Sequence, residues 1–481
     1  MLSGFKTSFL IIVLFFFGLS VLSAQSQDEL NRKKYFKYFQ WRDSTFIPDP
    51  QYINQYNPAK PVWIPISEVV GSNIALNLFN NYVLGAPHAR ISFESIKHNF
   101  QHRWDWDADN LITNMWGHPF QGAIYYNLAR SGGYGYWPSL GITAFGSWQW
   151  ELFMEIEPPA INDFVMTSLG GALYGETFYR LSSLIISEGT SGAARFWREL
   201  AAGIYNPGRL FNRLVYGRSK RHLDIYLYEK EPNIGELGFG LNNVAEGTRF
   251  REGKKNPMIT LNYRYGQPFL KNTYKPLDYF SLYVALNLKN QPGLGQFRIH
   301  GIVNGKQKTL SEGHQLLWGL FQYIDYLHNN VYEIAGVSFG PGLAYRNYAM
   351  KKHHLAALVN AAFMPMSAAN SDYAPNYKVE ALDSARTYNM GMGASAKIKL
   401  LWVFPVGQLT VNYSFWWVHT LHGAPGDEKI GILEPVFQIY VTRRWFIGLQ
   451  YLLYHRRGIY RDYDNVNIRN NEQRLFFGFK F

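Results

Sequence analysis

Gln408–Trp417 reads QLTVNYSFWW, and its side chains alternate in character. Leu409, Val411, Tyr413, Phe415 and Trp417 form one row, and Thr410, Asn412, Ser414 and Trp416 the other. Successive side chains of a strand point to opposite faces, so the segment offers one oily face and one mostly polar face. Ile259–Tyr265 repeats the pattern: Ile259, Leu261, Tyr263 and Tyr265 oppose Thr260, Asn262 and Arg264. In Phe280–Leu288, Phe280, Leu282, Val284, Leu286 and Leu288 oppose Ser281, Tyr283, Ala285 and Asn287. Alternation sustained for about ten residues is the length of a strand that crosses a membrane.

Working outward from 408–417, about twelve such segments can be placed, an even number as closed membrane barrels require. They lie near residues 234–244, 257–266, 277–289, 294–304, 314–327, 331–348, 352–365, 387–403, 405–419, 431–443, 444–457 and 472–481. A dozen apolar rows need lipid to cover them, or else the second layer of a soluble two-sheet sandwich. The spacing therefore predicts an α+β chain: a transmembrane antiparallel β-barrel of about twelve strands with an N-terminal helical domain in its lumen or under it, on the periplasmic side. Arg443-Arg444 reads as a tight turn; 366–386, 420–430 and 457–471 read as long polar loops. Phe339-Gly340-Pro341-Gly342 reads as a kink in the wall, and His353-His354 as an exposed basic strand start. The final RLFFGFKF places Leu475, Phe477, Phe479 and Phe481 on one face. A terminal aromatic on an alternating last strand resembles the signal read by the barrel assembly machinery, which it implies as a partner.

Composition agrees with a barrel. Aromatic residues make up 17 %, with 34 Tyr, 34 Phe and 14 Trp, as the aromatic girdles of membrane barrels require. Cysteine is absent, which excludes disulfides, Cys-ligated zinc, thiol catalysis and a lipoprotein anchor. The net charge of +12 fits solvated loops, or contact with outer-membrane lipid and lipopolysaccharide; nucleic acid is not an expected partner of an exported chain.

Residues 1–24 have the form of a signal peptide, with Lys6 ahead of FLIIVLFFFGLSVL and cleavage after Ala24. Pro48, Pro50, Pro58 and Pro61 make 25–64 an extended tether. A helical domain follows over 65–220, and the barrel over 221–481. Helices are predicted over 67–82, 92–101 with Ser92 as N-cap, from Asp109 or Asn110 to 131, 138–156, from an Asn162 or Asp163 cap to 186, and 191–202. Pro119 should kink the third or mark its first turn. A short basic helix lies in 206–214, and Arg209, Arg213, Arg218, Lys220 and Arg221 could meet lipid phosphates or stay solvated.

Within Trp104–Ser183 polar residues recur at helical spacing in an apolar setting. Asn114, His118, Gly122 and Tyr126 step by four, as do Glu151 and Glu155, Asp163 and Thr167, and Glu176 and Arg180. Residues four apart share a helix face, so several helices each present a polar row. Gly122, Gly141, Gly146, Gly170, Gly171 and Gly175 permit close helix packing.

This block resembles an uncharacterised family of Gram-negative envelope proteins, a domain of unknown function. Its DN-x3-N-x3-HP-x2-G-x2-YYN-x2-RS core falls here on Asp109, Asn110, Asn114, His118, Pro119, Gly122, Tyr125, Tyr126, Asn127, Arg130 and Ser131. The resemblance implies outer-membrane localisation and no particular activity. A more local similarity joins the order E-x3-E, then N-D-x3-T, to the helices of VanZ-like membrane proteins, although the helices here are too polar to cross a membrane.

Three roles suit the polar rows. In an enzyme that modifies envelope lipid or glycan, His118 is the general acid/base or metal ligand, with Glu151, Glu155 and Asp163 as catalytic partners. Asn114, Tyr126, Arg130, Glu176 and Arg180 then bind the ligand. Such carboxylates and an imidazole suit a divalent ion, but the residues do not identify a metal or other cofactor. In a structural protein the same groups form a buried network, with Glu176–Arg180 an i,i+4 pair and partners among Arg264, Arg298, His300 and Arg346. In a plugged channel they line a route. The helical domain has neither G-x-S-x-G nor H-E-x-x-H. A structural or ligand-binding envelope role is the leading expectation.

Overall fold

Backbone pairing closes residues 233–480 into a ring. In this computed structural model the chain divides between Lys230 and Glu231 into a helical unit and a β unit. The structure describes residues 47–48, 50–107, 111–223, 225, 227–246, 253–289, 293–329, 333–350, 352–373 and 388–481. The signal peptide, the tether up to 46 and the Asp109–Asn110 helix start lie outside them.

The barrel strands are β1 (Asn233–Glu246), β2 (Lys254–Tyr265), β3 (Phe280–Asn287), β4 (Leu294–Ser311), β5 (His314–His328) and β6 (Glu333–Asn347). They continue as β7 (His354–Asn370), β8 (Tyr388–Phe404), β9 (Gly407–His422), β10 (Gly426–Tyr440), β11 (Trp445–Tyr460) and β12 (Val466–Lys480). Each pairs antiparallel with its chain neighbours, and β12 returns to β1, from Glu236 opposite Lys480 to Glu246 opposite Asn470. The ring is a closed twelve-stranded barrel, as the alternation predicts, and closure leaves it no exposed edge. Thr273–Tyr274 pairs with β4 at Lys306 and Gly305, beyond the end of β3.

On β1, β6–β8, β11 and β12 the outward row includes exposed apolar residues: Leu241, Leu343, Val359, Leu400, Leu449 and Leu475 are each at least half exposed, whereas on β2–β5 its members Leu261, Leu282, Val284, Ile299 and Ile324 are buried. Aromatic rings gather near the end where β1 begins, with Trp445 stacked on Phe477 at 4.8 Å and Phe404 on Phe437 at 5.9 Å. Trp417 lies eight residues along β9 from Leu409, the partner of Trp402, or roughly 26 Å of strand. That separation matches the apolar band of a membrane barrel.

From the level of Trp417 the outward residues turn polar (Lys429 and Arg457 beside it, Asp427 and His419 beyond), yet pairing continues. The long loops expected at 420–430 and 457–471 are therefore strand, and the turns shrink to 423–425 and 461–465. A strand that has left the hydrocarbon can be polar on both faces and still be held by its neighbours, so its sequence looks like a loop. A register shift lies at Val337/Phe339, just before the run read as a kink, within which Phe339 and Gly342 keep one register with Phe363 and Asn360.

A wall of this size predicts an interior too wide for its own side chains. They span it nonetheless. Arg298 of β4 meets Glu434 of β10, halfway round the ring, at 3.0 and 3.1 Å. Lys397 of β8 meets Asp325 of β5, which also accepts from Trp416 Nε1 of β9 at 3.2 Å. Farther from the end where β1 begins, Trp416, Val418, Ile430, Ile432, Leu452 and Met364 form a dry layer across the interior.

The helical unit comprises α1 (Pro50–Tyr56), α2 (Trp63–Leu78), α3 (Phe93–Gln101), α4 (His118–Ser131), α5 (Tyr136–Phe153), α6 (Ile161–Val165), α7 (Gly171–Ile185), α8 (Gly192–Tyr205) and α9 (Pro207–Val215). α1 falls in the stretch whose prolines predict an extended tether; Pro50 occupies the first turn, where no N–H is needed. Ser92 caps α3 in a reciprocal box with Ser95. Neither Asn162 nor Asp163 caps α6: the N-cap is Ala160, and Asp163 sits inside the first turn. No described helix is long and apolar enough to cross a membrane.

Two π turns, Thr113–Gly117 before α4 and Met166–Gly170 before α7, carry Asn114 and Thr167. Pro119 has no N–H for the Met115 carbonyl, and the Tyr174 hydroxyl donates to that carbonyl at 3.0 Å instead. Gly122 packs on the second π turn: an added Cβ would lie 1.9 Å from the Thr167 carbonyl oxygen and 2.9 Å from Gly171 Cα. Gly141 meets nothing within 4 Å and is not a packing glycine.

Two outcomes test this account. Leu449→Arg should lower barrel stability in a bilayer by about 2–4 kcal/mol in urea titrations, whereas His419→Arg, two residues beyond Trp417, should change little. Gly122→Ala should abolish protease resistance of 63–215 in the intact protein, while Gly141→Ala leaves it unchanged.

Candidate functional site

The nine candidate residues of the helical unit fall into two clusters. In the first, the π turn and α4 bring Asn114 and His118 to α6. His118 Nε2 lies 3.2 Å from Asp163 Oδ1. The Asn162 amide donates to Asn114 Oδ1 at 2.9 Å and to Asp163 Oδ1 at 2.6 Å. The chain at 105–107 runs beside 159–162 and fixes Asn162: Asp105 N donates to the Pro159 carbonyl at 3.0 Å, and Asp107 N to Asn162 Oδ1 at 2.8 Å.

Glu151 and Glu155 complete this cluster from the end of α5 and the turn after it. Glu151 is buried and accepts from the Ala160 N–H at 2.9 Å; Glu155 accepts from Trp150 Nε1 at 2.5 Å. Burial pushes the Glu151 carboxyl well above the usual carboxylate range, and repulsion from Glu155 and Asp163 adds to it. Burial also pushes Glu155 up to about 7, against the Trp150 hydrogen bond and the His118 charge. The cluster thus holds a His–Asp pair beside two carboxyls inclined to keep a proton.

The second cluster is organised around Glu176 of α7. Its carboxylate accepts from Tyr126 Oη, Arg130 Nε and Arg180 Nε, each at 2.8 Å. Burial acts to raise its pKa, but the two guanidinium groups hold it below the usual value. Glu176–Arg180 is the i,i+4 pair that the spacing predicts. Arg130 lies 4.2 Å over the Tyr179 ring, and Arg180 also meets Glu229 at 3.4 Å. This site is chemically closed: its cations already have their anion.

The Arg209–Arg221 row does not form a lipid-facing patch. Arg209 is buried between the Tyr179 and Tyr228 rings and donates to Ser182 Oγ at 2.7 Å and Ser183 Oγ at 2.8 Å. Arg213 is clamped by Glu188 at 2.9 Å and Glu199 at 2.6 Å. The strand residues offered as partners of the helical rows pair inside the barrel: Arg264 with Glu236, Arg298 with Glu434, His300 with Ser281 and Arg346 with Gln315.

Sequence reasoning missed the asparagines that join the helices. Asn99 donates to the Glu155 carbonyl at 2.9 Å, Asn127 to Gly175 at 3.0 Å and Asn212 to Leu128 at 2.9 Å. A lone Asn has no periodic signature. The Glu188–Glu199–Arg213 network was partly visible in the four-residue step from Arg195 to Glu199.

The fold is that of membrane β-barrels, with a helical unit ahead of it. Residues 103–208 match the model of a domain of unknown function (DUF3943), and both clusters lie within the matched stretch. No curated protein matches the chain. Among solved structures it is similar to the NanC porin, at 11% identity and TM-score 0.27, over 51% of this chain and 100% of that one. An outer membrane channel from Pseudomonas putida F1 is similar at 12% identity and TM-score 0.28, over 52% of this chain and 95% of that one. The channel DcaP of Acinetobacter baumannii gives 8% identity and TM-score 0.24, over 52% and 96%.

The raised Glu155 pKa sets a sign. An acid whose folded pKa exceeds its unfolded value, 4.5, costs stability as pH rises from about 4.5 through about 7. Glu155→Gln should therefore melt above the wild type at pH 8, with the gap shrinking toward pH 5 in thermal scans of the intact protein. A pH-independent gap would contradict the assigned cause.

Proposed function

We propose that this protein is an outer-membrane β-barrel of Gram-negative bacteria with a structural or ligand-binding role, not an open pore. The observation that carries the reading is the Arg298–Glu434 pair across the interior, at 3.0 Å. A water-filled channel keeps its lining charges solvated and apart. Here they neutralise one another, and the dry layer around Trp416 lies beyond them. Export uses the leader at 1–24, and the last strand is read by the barrel assembly machinery. The outward apolar row contacts outer-membrane lipid and lipopolysaccharide. The helical unit belongs on the periplasmic side or in the lumen, and its buried ion pairs and asparagine clamps support a structural role for most of the candidate residues.

The first cluster favours a second reading. A His118–Asp163 pair at 3.2 Å beside proton-holding Glu151 and Glu155 suits acid–base work on an envelope lipid or glycan, with or without a divalent ion. Stoichiometric metal in elemental analysis of the purified protein, lost in His118→Ala with the fold retained, would favour it.

In planar bilayers the wild type should show no steady conductance. Combining Arg298→Ser, Glu434→Ser and Trp416→Ala removes both partners of the pair and the centre of the dry layer, and should open a lasting current. Steady wild-type conductance would sink the closed-barrel reading.

A further inference from the structure

A cavity of about 240 Å³ lies inside the barrel, toward the end where β1 begins. It exceeds the roughly 150 Å³ apolar cavity that accepts benzene in a protein engineered for it. One side is apolar: Phe269, Tyr279, Ile302, Leu317, Phe321 and Ala344 are buried and pack as one cluster. The remaining side mixes cations with apolar residues. Arg264, Arg346 and Lys399 line it together with His300, His354, Leu355, Leu358 and Leu401, and no carboxylate does. The strand start read as an exposed basic edge thus contributes to the lining.

The charges on that side are not balanced locally. Arg264 has Glu236 at 3.4 Å. Arg346 has no ion pair among the described residues: Nε donates to the neutral Gln315 Oε1 at 3.0 Å, and the guanidinium lies 5.2 Å from the Phe269 ring and 4.9 Å from the Tyr348 ring. Lys399 has neither a hydrogen bond nor an ion pair among the described residues, and it lines both this cavity and the ion-pair layer next to it. Elsewhere in the interior the wall does pair its charges, as Arg298, Lys397 and Arg456 show. Two cations left unpaired beside an apolar surface are costly unless an anion joins them.

The backbone is also shaped to make this wall. Phe269 holds φ 72° and Leu277 φ 54°, in a region that non-glycine residues rarely occupy. They belong to the 266–279 connection, which folds back on itself: Tyr274 Oη accepts from Leu270 N at 2.8 Å and donates to the Gln267 carbonyl at 2.9 Å. Strain of this kind persists where surrounding contacts impose it, and it clusters at ligand sites.

We infer that this cavity binds a single-tailed anionic amphiphile, the tail on the Phe269–Phe321 side and the head group, carboxylate or phosphate, between Arg346 and Lys399. The inference rests on the ligand-binding form of the barrel reading and gives it a ligand class. Heat-modifiability of the barrel and its low conductance report on the reading itself, whatever the binding result.

The test is calorimetry on the intact protein in zwitterionic nanodiscs, with empty discs subtracted, using octanoate, octyl phosphate and octanol. Saturable 1:1 uptake of at least one anion is expected, and whichever binds tighter assigns the head group. Lys399→Gln with Arg346→Gln should weaken the anion by about tenfold or more, the scale of losing hydrogen bonds from charged donors. Octanol should bind more weakly than either anion and be indifferent to that change. Ala344→Phe, which fills the apolar side, should abolish uptake. No saturable uptake by the wild type, affinity unchanged in the double variant, or equal binding of inorganic phosphate would each overturn the inference.

Discussion

In hydrocarbon an unpaired backbone N–H or carbonyl has no water to turn to, and the contact between β1 and β12 is where this chain meets that demand. Eleven of the twelve neighbouring strand pairs join strands adjacent in sequence; only this one brings residues 236–246 to residues 470–480. Without it, two edges of polar backbone would face lipid. With it, every outward side chain can be apolar and every inward one is free to be polar. Phe481 extends the closure, exchanging backbone hydrogen bonds with Gly235 at 3.0 and 2.9 Å. The alternation of Gln408–Trp417 has meaning only because the ring is shut.

Closure creates a second problem, since inward polar groups are then confined. The wall meets it in layers. Ion pairs reach across the interior at the level of Arg298, Asp325, Lys397 and Glu434, and a dry layer around Trp416 follows. Such pairs add little net stability compared with apolar packing, because desolvation offsets most of their attraction. Their effect is on specificity: each cation accepts one anion in one geometry, which fixes register across the barrel and removes mobile charge from a would-be channel. Arg346 and Lys399 stand outside this balance.

The barrel was legible from residue order because its period is two and its outer row needs lipid. Strand ends were not: Asp427, Glu428 and Lys429 are polar on successive positions, and only pairing with Ile459, Gly458 and Arg457 shows that they are strand. In the helical unit, the four-residue steps located Glu176–Arg180 correctly, since that contact is local. The meeting of His118 with Asp163, 45 residues away, depends on a π turn and a glycine contact, neither of which has a periodic trace. The arginines at 209 and 213 mislead for a related reason. A basic row looks solvated until the tyrosines and glutamates that enclose it are brought together by the fold.

The two helical clusters use the same residue types to opposite ends. Around Glu176 two cations meet one anion and a phenol, one hydrogen bond from each is 2.8 Å long, and the carboxylate stays charged. Around Glu151 and Glu155 three carboxyls share one imidazole, so the anions outnumber the cation, and burial works with their mutual repulsion to retain protons. A network evolved only to rigidify would favour the first arrangement, in which removing any partner strands a charge. The second leaves carboxyls that hold their protons above the usual carboxylate range, Glu155 up to about 7. That contrast is set by the guanidinium groups within reach: two hydrogen-bond Glu176, and none hydrogen-bonds Glu151 or Glu155 among the described residues.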